Sequence, residues 1–135
     1  MNRSTQRWAA YQAEAQAARE AFVRDDLVAA FNRLERAHIL GQPWAGPHTW
    51  THWMMLRIGW RRRDAREVVG QLVRLAAGGV LSWVGLLPVG NTGGANIPAT
   101  KSLPLPDDLR PLVETFGRRR RSGAPRAQQD DGRAG

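Results

Sequence analysis

Residues 34–60 read LERAHILGQPWAGPHTWTHWMMLRIGW, and their reading decides the fold. Apolar residues on both sides of Gly41-Gln42-Pro43 recur at helical steps, and the glycine and proline interrupt them. The stretch therefore predicts two helices joined by a tight turn. All three histidines (His38, His48, His52) and four of the six tryptophans (Trp44, Trp50, Trp53, Trp60) fall inside it. Glu35 and His38 are three apart, and His48 and His52 four apart, so each pair shares one helical face. If the helices fold back on each other, three imidazoles and a carboxylate converge.

Upstream, Ser4 or Thr5 suits the cap of a helix running to about Arg24. Trp8, Tyr11, Ala15, Ala18 and Phe22 recur at steps of three and four, and the many alanines keep helix propensity high and permit close packing. Asp25-Asp26 end that helix and cap the next, Leu27 to Leu40, where Leu27, Phe31, Leu34 and His38 share a stripe. Gly41 suits a left-handed C-terminal cap, and Pro43 prevents continuation. The two helices form an αα-hairpin of tetratricopeptide type. One such unit cannot bury its own face, so later helices must cover it.

Downstream, Gly46-Pro47 opens a third helix with proline at its first position, running to about Arg62. It is apolar nearly all round, which predicts a central helix with its tryptophans mostly in the core. Asp64-Ala-Arg-Glu67 is a capping-box variant that starts a fourth helix. Its apolar stripe is Val68, Val69, Leu72, Leu75 and Ala76, and Val80 to Val89 extend it or begin another helix. Gly90 to Asn96 reads as a turn and Ile97 to Pro106 as proline-spaced extended chain. Asp107 or Asp108 caps a last short helix with Leu109, Leu112, Val113 and Phe116 on one face. No stretch alternates like a strand. The expected fold is all-α: a compact four-to-five-helix domain over residues 5–116, then a disordered arginine-rich tail over 117–135.

With 135 residues, 42% of them hydrophobic, the chain is long enough for one globular core. It has no cysteine, which removes disulfides, thiolate metal sites and cysteine nucleophiles, and a cytoplasmic setting is the simplest expectation. The N-terminus has no apolar run of the secretory kind. Leu75 to Val89 is 15 residues, short of the ~20 a spanning helix needs, and glycines and Pro88 break it, so a membrane span is not expected.

The formal charge of +8 divides evenly. Six arginines against two aspartates leave the tail from Gly117 at +4, and 14 basic against 10 acidic groups leave residues 1–116 at +4. Arg57, Arg61, Arg62, Arg63 and Arg66 make one basic patch, and Arg118 to Arg121 another. Asp64 and Glu67 neutralise part of the first, and the aromatic residues interleave with histidines rather than arginines. Nucleic acid is therefore not the expected partner. Gly90 to Asn96 fails the phosphate-loop pattern, because no glycine stands at the required place before Lys101-Ser102. There is no Gly-x-Ser-x-Gly, and every serine lies far in sequence from a histidine, so hydrolase chemistry has no support.

The strongest chemical pattern is Glu35, His38, His48 and His52. Imidazole and carboxylate donors suit zinc, iron, nickel or cobalt, and a histidine pair four apart can chelate one ion. It is not a di-iron set, which requires a second Glu-x-x-His and further glutamates. Two readings compete with a small accessory protein holding that metal. One is a non-catalytic interaction module, binding a protein partner or a second copy, whose histidines are structural. The other is a metal-dependent enzyme with an open coordination position.

The words ERAHILGQ (35–42), the paired histidines before MMLRIGWRRRDAREVVGQLVRL (54–75), and LPVGNTGGANI (87–97) resemble one bacterial family, domain-of-unknown-function family 3703. The resemblance covers residues 10–115 and implies no particular activity. The chain departs from the family pattern at Leu86 and Gly94, where arginine is expected, and at Ser82, where histidine is expected.

Overall fold

Five helices follow in order: α1 (Arg3–Val23), α2 (Leu27–Gly41), α3 (Ala45–Arg62), α4 (Ala65–Trp83) and α5 (Arg110–Val113). The computed structural model describes residues 2–83, 93–96 and 103–114 and, for 78–83, the backbone alone. The tail over 117–135, Phe116, Leu86 and the Ser82 side chain lie outside the described residues. Among the described residues every regular element is a helix, as the absence of strand-like alternation predicts.

Each helix end has a local cause. Asn2 caps α1, its side chain accepting from the Ser4 amide, so the cap lies just ahead of Ser4 and Thr5. Asp26 caps α2 by accepting from Ala29 N–H, and Asp25 makes the reversal with φ of +61°. Gly41 is the last residue of α2 and does not take the left-handed cap its sequence context suggests. It is needed for closeness instead, because a Cβ there would lie 3.1 Å from the Tyr11 ring. Trp44 is the N-cap of α3, so Pro47 stands at the third helical position rather than the first. It remains within the first turn, where no N–H is required of it. Arg63 closes α3 in the left-handed region at φ of +54°, and Asp64 Oδ1 then accepts from Glu67 N–H to start α4. Leu109, not an aspartate, occupies the cap position of α5.

The helices pack in sequence order, α1 on α2, α2 on α3 and α3 on α4, with α5 against α1 and α2. The central helix is therefore α2 rather than α3. Its last five residues, Ala37 to Gly41, are all buried, as a helix touched from three sides must be. Ala18, Ala30 and Ala37 are fully buried and let α1 and α2 approach closely. Leu34, Met54, Met55 and Ile58 fill the space between α2 and α3. Among the described residues no tryptophan is fully buried, although Trp50 packs against the core. Trp44 and Trp50 are half-buried, and Trp8, Trp53 and Trp60 are exposed.

Arg7 is the unexpected member of the interior. It faces inward from α1, donating from Nε to Leu40 O at 2.7 Å and from Nη2 to Ile39 O at 2.8 Å. These carbonyls end α2 and have no helical partner, so a cation from the neighbouring helix both satisfies them and complements the helix dipole. Burial pulls the guanidinium pKa down to about 10, which still leaves it charged near neutrality. Outside the core, Arg36 bridges Glu14 of α1 and Asp108 ahead of α5 and ties three segments together.

Candidate metal centre

His38 comes from the buried end of α2, and His48 and His52 from the first two turns of α3. The Gly41–Trp44 turn folds α3 back along α2, and the three rings meet in the interior, each 3–4% exposed. Their Nε2 atoms form a nearly equilateral triangle: 2.9 Å from His38 to His48, 3.1 Å from His38 to His52, and 3.1 Å from His48 to His52. The ring centroids stand 4.6–4.7 Å apart, farther than the nitrogens, so the rings splay outward and their Nε2 atoms point inward.

Such a triangle cannot satisfy itself. Each Nε2 offers one in-plane site, a hydrogen or a lone pair, so three of them can form one full hydrogen bond among themselves. A single cation would accept all three lone pairs. Nitrogens bound at ~2.0–2.1 Å to a tetrahedral ion lie about 3.3 Å apart, close to the observed spacing. Burial pushes the pKa of His48 and His52 down to about 4, assisted at His52 by the positive charge His48 would carry. Those two rings are neutral at pH 7, the state in which imidazole binds metal.

The tautomer of His52 is determined by its surroundings. Gln71, fully buried on α4, donates from Nε2 to Glu67 Oε1 at 2.6 Å and to the Gly93 carbonyl at 2.7 Å. Both partners only accept, so the amide nitrogen faces them and Oε1 faces His52. His52 Nδ1–H donates to that oxygen at 2.7 Å, which leaves the lone pair on Nε2, inside the triangle. The buried Glu67 carboxylate also accepts from Ala95 N–H at 3.0 Å. One relay, Glu67 to Gln71 to His52, thus orients a ring and latches residues 93–95 beside the site. Gly93 has φ of +85°, and a Cβ there would lie 2.9 Å from His38 Cδ2, so the backbone lies directly against that ring. Both features require glycine.

Of the four residues picked out by spacing, the three histidines come together and Glu35 does not join them. Three residues back along α2 is about 60° round the helix, enough to leave its side chain half-buried on the flank. Sequence reasoning missed Gln71 and Glu67. Glu67 carried a signal, but one that read as a capping box, whereas its side chain turns inward. Gln71, four residues on, shared a face with it, yet nothing in the spacing placed that face against His52. Gly94 is buried beside Phe31.

Among the described residues no helix is long and apolar enough to cross a membrane. No curated protein and no solved structure matches the chain. One family does match, over residues 5–113, a span from α1 to α5 that includes all three histidines. The chain belongs to that family, described as Protein of unknown function (DUF3703).

Proposed function

We propose that this chain is a small metal-binding accessory protein that holds one divalent transition-metal ion through Nε2 of His38, His48 and His52. The observation that carries the reading is the triangle of buried nitrogens at 2.9–3.1 Å, with the His52 lone pair turned inward by Gln71. An all-imidazole donor set selects zinc, iron, nickel or cobalt over magnesium and calcium, which take oxygen. Three protein ligands leave room for an exogenous one. The absence of cysteine fits a cytoplasmic setting, where no disulfide is required. Glu35 is at most an outer contributor.

Elemental analysis of the purified full chain tests this directly. The expected result is equimolar zinc or another of these metals, and cobalt(II) reconstitution should give the intense visible bands of a low-coordinate nitrogen site. His48→Ala/His52→Ala should lose both while retaining its helical circular dichroism. Substoichiometric metal and a featureless cobalt spectrum in the parent protein would overturn the proposal and leave the histidines a structural role.

A further inference from the structure

The fourth helix is turned opposite to the usual arrangement. Glu67 and Gln71 face the interior, and at about 100° per residue Val69, Leu72, Val73 and Ala76 fall on the outward half, with Val68 at the boundary. Val69, Leu72 and Val73 are accordingly 52–62% exposed. Beside them on α3, Trp60 is 75% exposed, and Trp53, two turns earlier on the same side, is 51% exposed. Trp60, Arg63, Ala65, Val68 and Val69 line a groove of about 380 Å³. Scattered apolar residues on a surface need no explanation, but a contiguous apolar strip with a groove marks a binding face.

Charge indicates the occupant. Residues 45–83 hold six arginines and only two acids. Asp64 caps α4 and Glu67 is buried, so neither is available to balance the outer face. Arg57 and Arg61 lie over the Phe22 ring and Arg62 over Phe31, toward α1 and α2. Arg63 lines the groove and Arg66 stands exposed beside it, and among the described residues neither takes part in an ion pair.

We infer that the α3–α4 groove docks an acidic amphipathic helix from another protein. Its apolar side chains pack against Trp60 and Val69, and its carboxylates meet Arg63 and Arg66. This is the helix-in-groove mode, in which anchors spaced i, i+3/i+4 and i+7 supply affinity and flanking charges supply selection. A second copy of this chain suits the face less well, because pairing would set the same arginines against each other in a protein of net charge +8. A bilayer offers no side chain to fill a concave groove.

The probe is a fluorescent model peptide of glutamate, with leucine at the helical i, i+3, i+4 and i+7 positions, titrated into the full chain and followed by anisotropy. Saturable binding is expected, weakened at least ~10-fold by Trp60→Ala and by Arg63→Glu/Arg66→Glu. Val69→Ser carries the same test should Trp60→Ala fail to fold, as judged by circular dichroism. The same peptide with lysine for glutamate, or with serine for leucine, should not bind. Equal binding by the serine peptide would reduce the site to diffuse charge and overturn the inference. So would Trp60-dependent partition onto phosphatidylglycerol vesicles without peptide binding. Sedimentation equilibrium showing a dimer that Trp60→Ala dissociates would overturn it in favour of self-association. None of these readouts requires a bound metal, so they stand or fall apart from the histidine site.

Discussion

The α1–α2 hairpin and the α3–α4 hairpin differ in how many polar groups they bury and in how much apolar surface they leave outside. In the first, the apolar stripe goes inward, small residues set the spacing, and surface arginines meet acids, as Arg33 and Arg36 meet Glu14. In the second, His48, Thr51, His52, Glu67 and Gln71 are buried while Trp53, Trp60, Val69, Leu72 and Val73 face outward. Burying polar groups is tolerable only when each finds a partner; hydrogen bonds provide one for Thr51, Glu67, Gln71 and His52 Nδ1, whereas the three Nε2 atoms share a single full hydrogen bond among themselves. The first hairpin is patterned mainly for packing, although it also contributes His38 to the triangle. The second is patterned around a site, and its outer face is left apolar.

Four measurements would sharpen or break that contrast. The largest effect belongs to the packing half. Leu34 is fully buried between α2 and α3, so Leu34→Ala should cost about 2–5 kcal/mol in denaturant unfolding. Metal affinity per folded molecule should be unchanged. A parallel fall in affinity would mean that the two halves are not separable.

The site half should respond to acid in a way the packing half does not. His48 and His52 titrate near 4 in the folded, metal-free chain and near 6.5 when unfolded. Between those values the unfolded chain binds protons that the folded chain refuses. Stability from this source is therefore complete above pH 6.5 and is lost as pH falls toward 4, at up to about 1.4 kcal/mol per pH unit per ring. Urea midpoints of metal-free protein should decline across that window, and the slope should flatten in His48→Ala/His52→Ala. An unchanged slope in the variant would place the proton uptake elsewhere.

Gln71→Leu separates ring orientation from ring presence. All three imidazoles remain, but His52 Nδ1–H and the Gly93 carbonyl each lose a partner. Metal affinity by competition with a chelator should fall about 10–100-fold, the usual penalty for losing a group that orients a ligand. Glutamate at the same position keeps an acceptor for His52 but loses the donor to Glu67 and the Gly93 carbonyl, so it should restore only part of the affinity. If leucine binds as tightly as the parent, the relay has no role in the site.

The smallest effect is a gain. Arg63 holds a left-handed conformation that costs a side-chain-bearing residue about 1–2 kcal/mol, of which glycine returns part through its unfolded-state freedom. Arg63→Gly should raise unfolding stability by about 0.5–1 kcal/mol in a thermal melt while weakening capture of the acidic peptide. A loss of stability would show that the α3–α4 turn depends on the arginine side chain.

Much of this was legible in the chain itself. Local chemistry ends each helix, so aspartates at 25, 26 and 64 and the Gly41–Pro43 punctuation placed the breaks to within a few residues. The i,i+4 spacing of His48 and His52 is a property of any helix and required no tertiary knowledge. Apolar periodicity assigned the buried face of α1 and α2 correctly, apart from Arg7, which is buried, and Trp8, which is exposed. It failed on α4, where Val69 and Leu72 are exposed and Gln71 is buried. Periodicity identifies two faces of a helix, but which one turns inward depends on what the neighbour offers. On α4 the neighbour offered an imidazole.

Residue type and spacing alone determined that this protein is helical, that it folds back at Pro43, and that three histidines could reach one another. Only the tertiary structure decided that all three Nε2 atoms meet within 3.1 Å, that Glu35 stays out, and that Gln71 orients His52. The division follows from range. Helix propensity and capping act over a few residues, whereas the sequence separation of 19 from His52 to Gln71 closes only when α3 and α4 pack together.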